Sequence, residues 1–290
     1  MDETGDAAAA VERTVSLAGV DLYVVEMGAG TPIVLLHGFP QSSREWAGVA
    51  SLLAPHARVV VPDLRGSGRS GAPGGSYRLE VLGDDVLGLL DALGIERAVV
   101  VGHDIGALVA ADLAMRHPER VSRLVVMSVP PMYLRMTGSM VGSMKYLWFQ
   151  YALAVPGLGA RLLRGGRQRL PRWLFATFAH RGGVSAADID AYLADLRDRA
   201  QARAGSKKYR QLVVPVFLRI VLGRYRDRLP IMPTLVLFGA DDPVVPRDAL
   251  AGVEDHMPDV AIETIADAGH WLADEQPAAV ARRIVEFAAA

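Results

Sequence analysis

The chain reads as an α/β protein with a mostly parallel sheet, helices on both faces and a helical segment inserted late in the strand order. Three observations predict this. Short, nearly continuous apolar runs recur along the chain, "PIVLLHG", "RVVVPDLRG", "AVVVGHD", "RLVVMSVP" and "TLVLFGADD", as in strands covered on both faces. Helical patterns such as "RLEVLGDDVLGLLDALG" and "GALVAADLAMRHPER" lie between them, and strands alternating with helices imply a parallel sheet. The rhythm stops between about Pro130 and Leu229, where glycine–proline punctuation and stretches such as "SAADIDAYLADLRDRAQARAG" replace strands.

Taken in order, residues 1–12 are acidic, lack the basic-then-apolar order of a signal peptide, and read as a flexible tail. "RTVSLAGVDLYVVEMG" alternates apolar and polar residues on both sides of Gly19, which reads as a hairpin. Residues 13–130 then form the first part of an α/β core, 131–229 a helical cap, and 230–290 the second part, closed by the amphipathic "PAAVARRIVEFAAA". The most apolar stretch, "MVGSMKYLWFQYALAVPGLGARLL", contains Lys145, Gln150 and Pro156 and makes a poor membrane span.

Composition narrows the function classes. With 31 basic and 32 acidic side chains, the net charge of -1 gives no reason to expect nucleic acid or an anionic membrane as partner. The absence of cysteine excludes disulfides, thiol nucleophiles and cysteine-based zinc sites. No metal or organic cofactor signature is visible, and a cytoplasmic protein is the expectation.

Three polar groups fall where strands end, the place where open α/β sheets bind ligands. Asp104 follows "AVVVGH", Asp242 follows "TLVLFGAD", and His270 follows "AIETIADAG". Asp104 sits between Gly102 and Gly106, at a strand-to-helix turn where one enzyme fold presents a nucleophile that is usually serine. As a bland alternative, Asp104 would only cap the helix that starts at Ile105. Asp241 is the rival of Asp242 as the acid. His37 and His103 read as motif residues that bond locally.

The order nucleophile, acid, histidine resembles the α/β-hydrolase fold, in its eight-stranded form. "HGFP" (His37 to Pro40), "PDLRGSGRS", "GADDPVVP" and "DAGHWLADEQP" are similar to segments of its Asp-nucleophile branch, which holds epoxide hydrolases and haloalkane and haloacid dehalogenases. A carboxylate suits attack on a saturated carbon, because the resulting alkyl ester can be opened by water whereas an ether on serine cannot. It needs no base to ionise it, which leaves His270, oriented by Asp242, to activate water. The resemblance implies an oxyanion hole from the backbone N–H groups of Phe39 and Ile105, and a cis Phe39-Pro40 bond.

The branch divides on the leaving atom. An epoxide oxygen needs a proton from an acid such as tyrosine, whereas a halide needs only N–H donors. Haloalkane dehalogenases usually carry Trp after the nucleophile and Asn after His-Gly, where this chain has Ile105 and Phe39. The arginines that fluoroacetate-type enzymes carry after the nucleophile are missing from "IGALVAA". Tyr209 in "GSKKYRQL" resembles one of two cap tyrosines of epoxide hydrolases, and Phe149, before Gln150, stands where the second is expected. Either Tyr209 then acts alone, or Trp148, Tyr146 or Tyr151 supplies the second donor, and a Trp148 indole would equally serve a halide. The pocket is expected to be apolar, with Trp148, Phe149, Gln150 and Trp271 among its walls. The expected substrate is a lipophilic epoxide rather than a small charged one, with dehalogenation as the alternative and a non-catalytic binding protein as a third reading. A homodimer contact is a second use of the same apolar cap surface.

Overall fold

The computed structural model describes residues 10–257 and 259–290. Its eight strands are β1 (Val11–Leu17), β2 (Val20–Met27), β3 (Pro32–Leu36), β4 (Arg58–Pro62), β5 (Ala98–His103), β6 (Val121–Met127), β7 (Thr234–Gly239) and β8 (Val260–Ile265). They form one sheet in the order β1-β2-β4-β3-β5-β6-β7-β8. The β1–β2 and β2–β4 pairs are antiparallel and every pair from β3–β4 to β7–β8 is parallel. The expected hairpin turns at Gly19, whose φ of 97° suits glycine. The tail expected over residues 1–12 lies outside the described residues as far as residue 9. Its last two residues are not tail: Val11 and Glu12 pair with Glu26 and Val25, because β2 runs on and offers them partners.

The helices are α1 (Ala47–Leu53), α2 (Leu79–Ala92), α3 (Ile105–Arg116), α4 (Gly138–Ser143), α5 (Trp148–Ala154), α6 (Leu158–Arg164), α7 (Arg169–Phe178), α8 (Ala186–Asp195), α9 (Arg199–Lys208), α10 (Val214–Val221), α11 (Leu272–Glu275) and α12 (Pro277–Ala289). The strand period of two divides the apolar runs between two cores. Ile33, Leu35, Val99, Val101, Leu235 and Leu237 face Val49 and Leu53 of α1 and Val280 and Ile284 of α12. Their neighbours Val34, Leu36, Val100 and Val236 face Leu82 and Val86 of α2 and Ala107 and Ala111 of α3. Each run is therefore apolar at every position because both of its faces are covered.

Helices α4 to α10 all lie between β6 and β7 in the chain. A π-helical turn, Tyr209–Val213, joins α9 to α10. Residues from this insertion share the larger core cluster with the sheet, Phe149, Phe178 and Tyr209 among them. In the sheet β3 and β5 are neighbours, with Leu36 opposite Gly102. From β3 the chain crosses to β4 on one side, and from β5 to β6 on the other, so a crevice opens at their carboxyl ends.

Candidate active site

Asp104 stands at that crevice, between the last residue of β5 and the first of α3. Its backbone is at φ 48°, ψ −116°, a strained conformation for a side chain with a Cβ, costing about 1–3 kcal/mol. The turn is possible because its flanking glycines have no side chains. A Cβ on Gly102 would lie 2.4 Å from the Gly106 carbonyl oxygen, and one on Gly106 would lie 2.2 Å from the Leu36 carbonyl oxygen. The carboxylate does not cap α3. Its Oδ2 instead accepts the Phe39 backbone N–H at 3.0 Å, from the loop after β3 whose Phe39-Pro40 bond is cis. Ile105 opens α3, where a helix leaves its N–H without an intrahelical acceptor.

His270 faces the other oxygen. Its Nε2 lies 4.0 Å from Asp104 Oδ1, beyond hydrogen-bond length, and its Nδ1 donates to Asp242 Oδ2 at 2.8 Å. Asp242, in the loop after β7, is held in turn by the Val244 N–H on Oδ1 at 2.9 Å. Asp241 points elsewhere, to His180 Nδ1 at 2.5 Å. The structure thus brings Asp104, His270 and Asp242 together from the ends of β5, β8 and β7.

The histidine loop is held by groups that sequence reasoning passed over. The His270 carbonyl accepts from Ser128 Oγ and His103 Nε2, both at 2.8 Å. His103 therefore does not bond locally: it reaches across the sheet end to a residue 167 positions away. Burial depresses its pKa, but the Glu45 carboxylate beside it wins and lifts the value to about 9. His37 does bond close by, its Nδ1 donating to the Gly38 carbonyl while its Nε2 accepts from the Leu64 N–H. Glu275 gathers three backbone N–H groups on one carboxylate, those of His180, Gly269 and Trp271, at 2.8 to 3.0 Å. Its signal was present in the sequence, as an acid five residues after His270 in "GHWLADEQP".

A cavity opens above Asp104 and His270, which both line it. Its walls are mostly apolar, with Phe149, Phe178, Val213 and Phe217 from the insertion and Phe39 and Trp271 from the core. Gln150 and Tyr209 bring polar groups to it, and no arginine or lysine lines it. Tyr209 packs edge-on against Phe39 at 5.2 Å and Phe149 at 5.9 Å. Burial, aided by the nearby Asp104 charge, pushes its hydroxyl well above the ordinary tyrosine range.

The remaining expected pocket residues fare differently. Trp148 is not a wall: it is 51% exposed and packs on Trp173 at 5.5 Å. It starts α5, where the turn that directs Phe149 inward directs its neighbour outward. Tyr151 is 48% exposed, and Tyr146 packs on the rim of Phe178, so neither reaches the cavity. Phe149 has no tyrosine standing in for it.

Two further contacts tie the insertion to the core beside the site. Lys208, next to Tyr209, is buried and donates from Nζ to Ser67 Oγ at 2.5 Å and the Gly66 carbonyl at 3.2 Å. Tyr192 of α8 donates to Asp274 Oδ1 at 2.7 Å, while Gln41 donates to Oδ2 at 2.6 Å. Burial, with the Glu45 charge adding to it, raises Asp274 to about 7.

A strand-to-helix elbow over a crossed parallel sheet, with an acid and a histidine from the next strand ends, defines the α/β hydrolase fold. The family matches residues 31–277, and the chain belongs to it. Among its relatives is epoxide hydrolase A of Mycobacterium tuberculosis, 31% identical over 317 positions covering 96% of this chain and 97% of that protein. A fluoroacetate dehalogenase from a Burkholderia species is 39% identical over 127 positions, 42% of each chain. The crystal structure of Cfl2 from Burkholderia cenocepacia superposes with a TM-score of 0.83 at 30% identity, over 95% of both chains.

Proposed function

We propose that this protein hydrolyses a lipophilic epoxide to a vicinal diol through a covalent ester on Asp104. The observation that carries the reading is the division of labour on one carboxylate: Oδ2 is held by the Phe39 N–H, and Oδ1 faces His270 and the cavity. In the first step Oδ1 attacks a ring carbon. The carbon–oxygen bond of the ring breaks, and its oxygen takes the Tyr209 hydroxyl proton. A tyrosine hydroxyl is protonated at neutral pH, and burial keeps this one so. With Phe149 packed beside it, Tyr209 is the one tyrosine that lines the cavity among the described residues.

In the second step His270 Nε2 takes a proton from water, whose oxygen attacks the ester carbon. The 4.0 Å between Nε2 and Oδ1 is too long for direct bonding and short enough for one water to span. The negative charge formed on Oδ2 falls to the N–H groups of Phe39 and Ile105. Asp242 fixes the Nδ1–H tautomer that leaves Nε2 free to accept. Collapse breaks the acyl–oxygen bond; the leaving alkoxide takes the proton of the carboxylic acid just formed, which releases the diol and restores the carboxylate, while the imidazolium proton returns to the tyrosine oxygen. On this reading the insertion acts as a cap that lines the cavity and carries the proton donor.

Epoxide hydrolase A of M. tuberculosis supports this choice by its name and its near full-length match. A mostly apolar cavity wall without arginine or lysine fits a neutral apolar substrate better than a haloacid. The test is mass spectrometry of His270→Gln incubated with panels of epoxides and haloalkanes. The ester is expected to accumulate on the peptide containing Asp104 with epoxides. Adducts from alkyl halides alone would replace the reading with dehalogenation, and no adduct from either would remove the nucleophile.

A further inference from the structure

Charge is not spread evenly along this chain. Residues 131–229 hold 18 lysines and arginines against five aspartates and no glutamate, a formal +13 that leaves −14 on the rest. The near-zero total conceals two opposite halves. Within the insertion the cations are also in register. Arg199, Arg203 and Lys207 recur every fourth residue of α9, Arg210 follows on the π turn, and Arg161 and Arg164 come from α6, packed alongside. These six line one open cleft that has no acidic side chain in its wall. None of them pairs with a carboxylate among the described residues. Like charges at this spacing repel and gain nothing in the free protein.

Exposed apolar side chains gather in the same segment. Among the described residues twelve large hydrophobic side chains stand well out into solvent, and nine of them fall within 131–229. Trp148 and Tyr151 stand on α5, Val155 follows just past its end, and Leu158 opens α6. This ridge runs between two sets of cations. On one side Arg210 reaches the Ala154 carbonyl, and Pro156 and Gly157 help to wall the cationic cleft. On the other, Trp148 meets Trp173, which shares a second cleft with Arg169 and Arg172.

We propose that this face of the insertion docks peripherally on an anionic lipid bilayer, with the α5 ridge in the headgroup region and the flanking arginines on the lipid phosphates. Cations alone would serve any polyanion. An exposed tryptophan, tyrosine and aliphatic ridge between them serves a partner whose anionic surface overlies an apolar interior. A second copy fits less well: among the described residues its acidic part offers only Val11, Leu52 and Ile231 as large exposed apolar side chains, scattered along the sequence. Among the described residues no helix is long and apolar enough to cross a membrane, so the contact is a surface one.

The probe is a set of phosphatidylcholine vesicles, with and without about one-third phosphatidylserine, in a sedimentation assay. Binding is expected to the anionic vesicles only, and to be reversed by high salt. The exposed triple variant Arg161→Gln/Arg164→Gln/Arg203→Gln should lose about 100-fold in partition, at about fivefold for each basic side chain removed. Trp148→Ser should weaken binding and abolish the blue shift of tryptophan fluorescence on vesicles. Unchanged near-ultraviolet dichroism and melting show that the variants are folded, and the salt and lipid dependence of the parent protein stands without them. Absent or lipid-independent binding overturns the proposal. So does sedimentation explained by self-association, or binding of a single-stranded oligonucleotide in the absence of any vesicle binding.

Discussion

Replacing Lys208 by methionine removes an ammonium group from the boundary between insertion and core while keeping most of its bulk. The side chain is 1% exposed, and burial drives its pKa from 10.5 down to about 7 against the pull of Asp63. A base with a depressed folded pKa binds fewer protons folded than unfolded throughout that interval. Stability therefore rises with pH from about 7 to about 10.5, and below that window the full cost of burying the charge remains. Between about pH 7.5 and about pH 9.5 those two values give about 2–3 kcal/mol. For 290 residues, unfolding with about 2 cal/mol/K per residue, this is about 4 °C in Tm. The assay is urea and thermal unfolding of the parent and Lys208→Met at the two pH values. His103, raised to about 9, works in the opposite direction, since its contribution is lost as pH rises from 6.5 toward that value. It titrates in both proteins and cancels in their difference. The methionine variant should be the more stable at the lower pH, with the gap narrowing by the stated amount at the higher. Parallel pH profiles would refute the argument that Lys208 is held at the cost of desolvation.

Three shorter tests concern the site. On the proposed mechanism Tyr209→Phe slows ester formation by about 100-fold or more, with ester hydrolysis much less affected, as single-turnover kinetics would show. Asp242→Asn leaves the carboxylate nucleophile in place but favours the wrong imidazole tautomer, so hydrolysis of the ester should fall by about 10⁴-fold and the adduct should become visible by mass spectrometry. Gly106→Ala puts a methyl 2.2 Å from the Leu36 carbonyl oxygen, backbone that cannot move aside. Its expected result is a loss of about 3 kcal/mol or more in urea unfolding, and a variant that melts with the parent would contradict the packing described at the elbow.

What the sequence discloses here follows from locality. The strands are legible because burial on both faces leaves no polar phase in runs such as "AVVVG". Asp104 and Asp242 are legible because each follows such a run near glycine or proline, and His270 because it stands in the segment "DAGHWLADEQP". Trp148 is misread because α5 is only seven residues long, too short for a pattern to fix which side faces inward. Glu45, Lys208 and Asp274 escape notice for a different reason. Their burial comes from chain segments far away in sequence, and a charged residue read alone looks like surface. The opposite charges of the insertion and the rest of the chain were hidden by summing over both.

The unequal surroundings of the two Asp104 oxygens carry an isotopic consequence. If Oδ1 makes the bond to carbon and is expelled with the diol, the first molecule released in heavy-oxygen water takes its new oxygen from the enzyme, not the solvent. The solvent atom enters from the His270 side and fills the place just emptied, while Oδ2 stays under the Phe39 N–H. Product labelling then trails the solvent by one cycle, and the second molecule reports whether the carboxylate has turned over in between. A carboxylate held in place passes the heavy atom on in full, and one that flips freely passes it on half of the time.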